Sequence, residues 1–279
     1  MKLNKIGVNM FDELFRFITF FGDETFLLII IPFIYLYDRR VGIGLISSLS
    51  LAIWTTSTLK ATLKVERPPK EFWKTSAAGY SFPSGHATDS AAFWGYLGIK
   101  YREKKIYPII FGFIIFLVGL SRIYLGVHWT TDVIGGWIVG ISMVFFVNIY
   151  MIRYDKRIPL NSATKITLAL IVPYSLAGLT WVAAGGYIHD VINAIKIMST
   201  FSGVLIGHEL FSKNGELKEI KNIKVILIRG TLGLLLLMAL YVPYKILGTT
   251  EIFVIAPIYW LIGFILSYVA PKIIIYLEK

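Results

Sequence analysis

The sequence predicts an all-α fold: a polytopic membrane helix bundle of about nine spans, preceded by an N-terminal helix lying in the membrane interface. Three observations predict it. Hydrophobic residues fill 56% of the 279 positions and charged residues only 16%, with a mean hydropathy of +0.68, more apolar material than one water-soluble core has room to bury. The apolar residues are gathered into nine runs, and a bilayer core takes about 20 residues per helix, fewer where protein covers the ends. The basic residues between the runs alternate in abundance, as topology requires of a chain that crosses back and forth.

The elements follow in order. Residues 6–22 carry Asp12, Glu13 and Arg16 where a cleavable leader needs an unbroken apolar stretch, so this segment is read as a retained amphipathic interfacial helix. The spans are expected at about 24–38, 42–63, 86–101, 106–126, 129–152, 165–185, 190–208, 225–245 and 251–275. Arg39 and Arg40, then Lys100, Arg102, Lys104 and Lys105, then Arg153, Lys156 and Arg157, then Lys213, Lys218, Lys221 and Lys224 all fall on one side, which the positive-inside tendency makes cytoplasmic. The formal charge of +11 is accounted for by these loops. It forms no basic arm or stripe, so the expected partner is the phospholipid bilayer and not nucleic acid. Cysteine is absent, which excludes disulfides and thiolate metal sites and leaves the redox compartment unread.

Three polar clusters interrupt the first five spans, all at the outward ends. His128 and Asp132 stand four residues apart at the start of an apolar run, close enough on one helix face to touch. A carboxylate there would fix the imidazole tautomer and leave the other ring nitrogen free to attack phosphorus. Alone, the pair reads more readily as a helix-end histidine with an incidental polar neighbour. Arg122, six residues upstream, adds a cation that membrane depth makes costly without an anionic partner, and its planar fork suits phosphate oxygens. In the second cluster, Pro83, Ser84 and Gly85 form a turn into a helix, a start that gathers backbone N–H groups on an anion. His86 in that first turn suits a general acid, or a structural cap; Asp89, three residues on, is near enough to touch it but reads more readily as an incidental neighbour. In the first cluster, Lys60 and Arg67 are two helical turns apart before Pro68 and Pro69 break the helix, so both could face one phosphoryl group. Lys64, Lys70 and Lys74 match no such pattern and read either as contacts to anionic headgroups or as a site for a second phosphate.

Lys60 with Arg67-Pro68, then Pro83-Ser84-Gly85-His86, then Ser121-Arg122 with His128 and Asp132 resembles the tripartite signature of the type 2 phosphatidic acid phosphatase superfamily. That superfamily takes in lipid phosphate phosphatases, polyprenyl pyrophosphate phosphatases, the microsomal glucose phosphatase and the vanadium haloperoxidases. The resemblance covers about residues 20–152 and includes a run at Gly22, Asp23, Glu24 and Phe26 similar to some bacterial members. It implies that His128 is the nucleophile of a phosphohistidine intermediate, Asp132 its orienter and His86 the acid for the leaving group. Lys60, Arg67, Ser84, Gly85 and Arg122 would hold the phosphate, with no metal and no cofactor required. Residues 1–160 would then be the catalytic phosphatase core and residues 161–279 a membrane-embedded extension, in which His189 and His208 read as structural.

The expected function is hydrolysis of a lipid phosphomonoester or pyrophosphate, such as phosphatidic acid or a polyprenyl pyrophosphate, at the outer face of the cytoplasmic membrane. A lipid phosphotransferase using the same intermediate is the enzymatic alternative. A transporter or scramblase would suit the spans but leaves the spacing of the clusters unexplained, and a haloperoxidase would be soluble.

Overall fold

The structure, a computed structural model, describes residues 9–157, 160–185, 188–215, 217 and 222–278. Residues 6–8 of the expected interfacial helix, Lys218 and Lys221 lie outside the described residues, as do the side chains of Arg153, Lys156 and Arg157. Among the described residues every regular element is helical. The order is α1 (Met10–Phe20), α2 (Glu24–Tyr37), α3 (Arg39–Leu63), a short 3₁₀ turn (Lys70–Phe72), α4 (Gly85–Lys100), α5 (Ile106–Tyr124), α6 (Thr130–Arg157), α7 (Ser162–Ala184), α8 (Ile188–Asn214), α9 (Ile223–Leu247), α10 (Ile252–Phe264), a π segment (Ile265–Val269) and α11 (Ala270–Leu277).

Each of the nine expected runs is helical, but the count of spans is lower. Seven helices are long and apolar enough to cross a bilayer, or eight if the bent pair α1–α2 is one span. The shortfall is physical. α4 has 16 residues, a rise of about 24 Å, and its residues Ala87, Ala91, Ala92 and Phe93 are wholly buried against protein, so it need not reach both headgroup layers by itself. α1 and α2 meet at 41°. α1 buries none of its residues and leaves Met10, Phe11, Leu14, Phe17 and Phe20 exposed, an apolar surface for lipid.

Local chemistry sets the breaks. Asp38 stands between α2 and α3 in extended conformation, and its Oδ1 accepts from the backbone N–H groups of Arg40 (2.9 Å) and Val41 (3.0 Å), satisfying two of the donors a helix start leaves open. In the last expected run, Ser267 donates to Gly263 O (2.8 Å) and Gly203 O (3.3 Å). Such back-bonding accompanies the π segment that divides α10 from α11.

α3 and α8 form the interior: their most apolar stretches are 67% and 61% buried, against 22% for α5, α7 and α9. The outer helices turn residues such as Ile109, Phe113, Ile138, Phe146, Trp181 and Ile246 outward, where lipid and not water is the neighbour. This is an integral membrane protein. One core joins Leu27 of α2 and Val41, Leu45 and Leu49 of α3 to Phe93 of α4 and Val144 of α6. A second joins Tyr35, Leu36, Ile43 and Ile46 of the same two helices to Met198 and Phe201 of α8, Leu237 of α9 and Ile262 of α10. α2 and α3 therefore belong to both.

Candidate active site

Helix directions bring the C-terminal ends of α3 and α5 and the N-terminal ends of α4 and α6 together. α3 stops at Leu63, where Lys64 takes the left-handed conformation (φ 49°). Lys60 lies in its last turn, and its ammonium donates to the carbonyls of Tyr80 (2.6 Å) and Ser81 (3.0 Å). Arg67 was expected on the same helix face two turns on. It lies instead in the loop beyond Leu63, because the left-handed Lys64 ends the helix before Pro68 and Pro69 can. The loop folds back so that the Arg67 guanidinium donates to Gly79 O (2.9 Å), Ala78 O (2.7 Å) and Val127 O (2.9 Å), with Nη1 3.0 Å from His128 Nε2.

His128 precedes α6, and Asp132 is in its first turn. Asp132 Oδ2 accepts from Trp129 N (2.8 Å) and Ser81 Oγ (2.5 Å) and faces His128 Nδ1 at 3.3 Å. One carboxylate thus caps a helix and fixes a ring. With Nδ1 toward an acceptor and Nε2 toward an Arg67 donor, the neutral tautomer places its lone pair on Nε2. The His128 imidazole is held well below the usual histidine pKa, first by burial and then by the charges of Arg67, Lys60 and Arg122, against the opposing Asp132 hydrogen bond. At neutral pH the ring is uncharged, as attack through nitrogen requires.

Across from it, α4 starts at Gly85. Ser84 N donates to Asp132 O (2.9 Å), which ties the two helix starts together. Gly136 of α6 is the reason they can approach: a Cβ there would come within 2.8 Å of Ser84 O. Nothing stands within 4 Å of the position a Cβ would take on Gly85, so the helix N-terminus opens on free space. Three buried polar atoms have no partner here: Ser84 Oγ, Arg122 Nε and Asp132 Oδ1. Buried polar atoms are seldom left so. Arg122 is otherwise held by Thr19 Oγ1, 2.9 Å from its Nη1.

His128, Asp132, Ser84, Gly85, Lys60 and Arg67 are linked through these contacts. His86 is tied to a carboxylate distant in sequence. Its Nε2 lies 3.5 Å from Asp23 Oδ2, at the corner between α1 and α2, while Asp89 is buried with Oδ1 unpartnered. Two participants escaped sequence reasoning. Ser81 touches both His128 and Asp132, and its only signal is that it adjoins the turn leading to Ser84. Asp23 belongs to the Gly22–Phe26 run, noted above without a role. Of the three extra lysines, Lys74 is engaged: its ammonium lies 3.0 Å from Asp12 Oδ1 and 3.9 Å from the Tyr124 ring centroid. Lys64 and Lys70 are exposed. In the extension, His208 Nδ1 meets Tyr35 OH at 2.8 Å and His189 faces Asp190 at 3.5 Å.

Comparison with known proteins falls on the same residues. The profile of the PAP2 superfamily matches residues 42–157. Phosphatidylglycerophosphatase B of Bacillus subtilis is 35% identical over 161 residues, 53% of this chain and 76% of that protein. Undecaprenyl-diphosphatase of Sulfolobus acidocaldarius is 32% identical, over 42% of this chain and 57% of its own length. Sphingosine-1-phosphate phosphatase 2 of Mus musculus is 27% identical, over 70% of this chain and 57% of its own. The chain thus spans three quarters of the first and little more than half of the other two.

Proposed function

The chain belongs to the PAP2 superfamily, and from that membership we propose that it hydrolyses a lipid phosphomonoester or pyrophosphate through a phosphohistidine on His128, at the outer face of the cytoplasmic membrane. The observation that carries the reading is the set of unpartnered buried donors, Ser84 Oγ and Arg122 Nε, beside the open N-terminus at Gly85 and a neutral His128. A phosphoryl group would satisfy all of them at once.

In this mechanism the Nε2 lone pair of His128 attacks phosphorus as the bond to the leaving oxygen breaks. Asp132 holds Nδ1 and stabilises the positive charge that grows on the ring. His86 gives a proton to the departing oxygen and then takes one from the water that attacks the phosphohistidine. Lys60, Arg67 and Arg122 offset charge on the three transferred oxygens, with Ser84 and the Gly85 N–H as neutral donors. Arg67 Nη1 must yield Nε2 to phosphorus, a short movement since it already borders that nitrogen. Residues 161–279 would serve as a membrane-embedded backing to the core, packing on α2 and α3.

Purified protein in detergent, given phosphatidic acid, phosphatidylglycerol phosphate, a polyprenyl pyrophosphate and a sphingoid base phosphate, should release inorganic phosphate from at least one and form an acid-labile phosphoprotein. Release from none would overturn the proposal. The outward orientation has its own test, since the chain has no cysteine. Ser76→Cys should react with a membrane-impermeant thiol reagent in intact cells and Glu103→Cys should not; the reverse pattern would place the site in the cytoplasm.

A further inference from the structure

The site holds two histidine–carboxylate pairs, and only one belongs to the signature. His128, just before α6, has Asp132 four residues on in that helix's first turn; His86 of α4 has Asp23, 63 residues earlier, with Nε2 and Oδ2 3.5 Å apart. Asp23 is not free to wander. Its Oδ1 accepts from Thr25 N at 2.8 Å and caps α2, which leaves Oδ2 turned to the imidazole. The corner that carries it is pressed onto α4: a Cβ on Gly22 would stand 2.7 Å from the backbone oxygen of His86 and 2.8 Å from Val118. Only glycine allows that approach.

We propose that Asp23 is a positioning residue for catalysis, holding the Nε2–H of His86 so that the second ring nitrogen faces the leaving oxygen and supplying the counter-ion for the ring while it carries the proton it transfers. The inference rests on the phosphatase reading given above. In the first step the His86 imidazolium gives its Nδ1 proton to the leaving oxygen while the phosphorus–oxygen bond breaks and the His128–phosphorus bond forms. His86 is then neutral, with Nε2–H still directed at Asp23, and its bare Nδ1 takes a proton from water as water displaces His128. The surroundings of His86 make a counter-ion necessary: burial first, then Arg122 from α5, and more weakly Arg67 from the loop after α3, hold its pKa below the usual histidine value, and Asp23 is the carboxylate that acts against them. The Asp23 carboxyl itself is held well below its usual range, first by the hydrogen bond to His86, so it stays ionised while the histidine gains and loses its proton.

The test separates this role from the helix cap, because asparagine caps a helix about as well as aspartate. Asp23→Asn should keep the thermal midpoint of the purified protein yet lose turnover on an alkyl lipid phosphate at least about tenfold more than on an aryl phosphate, whose leaving group needs no proton. Its alkaline limb in the kcat–pH profile should move to lower pH, and Asp23→Glu should restore part of both. In the Asp23→Asn/His86→Ala double variant the alkyl-phosphate loss should equal that of His86→Ala alone. Equal losses on alkyl and aryl substrates with an unmoved alkaline limb, or a double variant showing the product of the two losses, would overturn the assignment of Asp23 while leaving the phosphatase reading intact. Wild-type protein inert toward every phosphate ester would overturn both.

Discussion

The end of α3–α6 that carries the three polar clusters and the helices α7–α11 of the extension both bury ionisable groups in a membrane protein, and they treat them in opposite ways. In the extension the groups complete one another. Arg229 is 3% exposed and meets Glu278 through two bonds, Nε to Oε1 at 2.8 Å and Nη2 to Oε2 at 2.6 Å. Glu209 receives both Ser162 and Lys165, and His208 closes on Tyr35 with Arg39 donating to its backbone carbonyl at 3.3 Å. At the clustered end Lys60, Arg67 and Arg122 gather round two histidine–carboxylate pairs, with His128 neutral, and donors are left over. The extension has unpartnered atoms as well, on Asp190, Ser199 and Ser202, but spread along α8. Excess positive charge with unspent donors is an arrangement that costs stability until an anion arrives. Paired charge needs no visitor.

The largest effect expected is at the nucleophile. His128→Ala should lower kcat by about 10³-fold or more, as removal of an attacking group does, with little change in the thermal midpoint. Near-normal turnover would erase the contrast between the two regions. Glu278→Gln should do the reverse: it removes the charge paired with a buried arginine, a loss of roughly 3 kcal/mol for such pairs, and should lower the thermal midpoint while activity per folded molecule holds. The pH profile sharpens the same point. Because His128 has its pKa depressed from 6.5 in the fold, the acid limb it imposes on turnover should lie below pH 6.5. The sign for stability follows from proton counts: below that pH the unfolded chain takes up a proton that the folded site refuses, so stability should fall as pH drops from 6.5 toward the folded value. A His128→Gln variant should flatten that slope.

Much of this was legible because it is local. Nine apolar runs are a composition signal, and each became helix; the four-residue spacing of His128 and Asp132 is a property of one helix start. What was hidden depends on folding of loops or on distance in sequence. The loop course that carries Arg67 to His128 turns on a left-handed Lys64, a conformation that lysine seldom announces. Asp89, three residues from His86, read only as an incidental neighbour, and nothing local pointed to Asp23, which is the neighbour because Gly22 lets a corner of the chain close on α4. The run expected at 251–275 is one candidate span, Ile252–Leu277, but the π segment within it, beside Ser267, is a feature no hydrophobicity pattern records.

A smaller effect is expected at Ser81. Its hydroxyl donates to Asp132 Oδ2 at 2.5 Å and lies 3.3 Å from His128 Nδ1, so it holds the orienting carboxylate without touching phosphate. A hydrogen bond to a charged acceptor is worth roughly 1.5 kcal/mol, so Ser81→Ala should lose about tenfold in kcat and leave KM near its starting value. A variant that lost affinity and kept kcat would move Ser81 from the orienting shell into the phosphate cradle.

The smallest effect is expected at the edge of the site. Lys74 is bonded to Asp12 and lies on Tyr124, and Arg16 donates to its backbone carbonyl at 2.6 Å, so this lysine fastens α1 to the loop between α3 and α4 and has little left for a second phosphate. Asp12 also accepts from Tyr124 OH at 2.9 Å, which keeps the three groups together on the exposed surface, where salt screens such pairs. Lys74→Gln should therefore raise the KM for a polyprenyl pyrophosphate and for phosphatidic acid alike, by less than about twofold, since a screened surface pair contributes little. Lys64 and Lys70 remain the candidates for pyrophosphate preference, because both are exposed. If Lys64→Gln with Lys70→Gln raises KM for the pyrophosphate about threefold more than for the monophosphate, as one lost charge contact at a surface would, that loop reads the second phosphate. Equal shifts on the two lipids would reduce these lysines to contacts with the membrane surface.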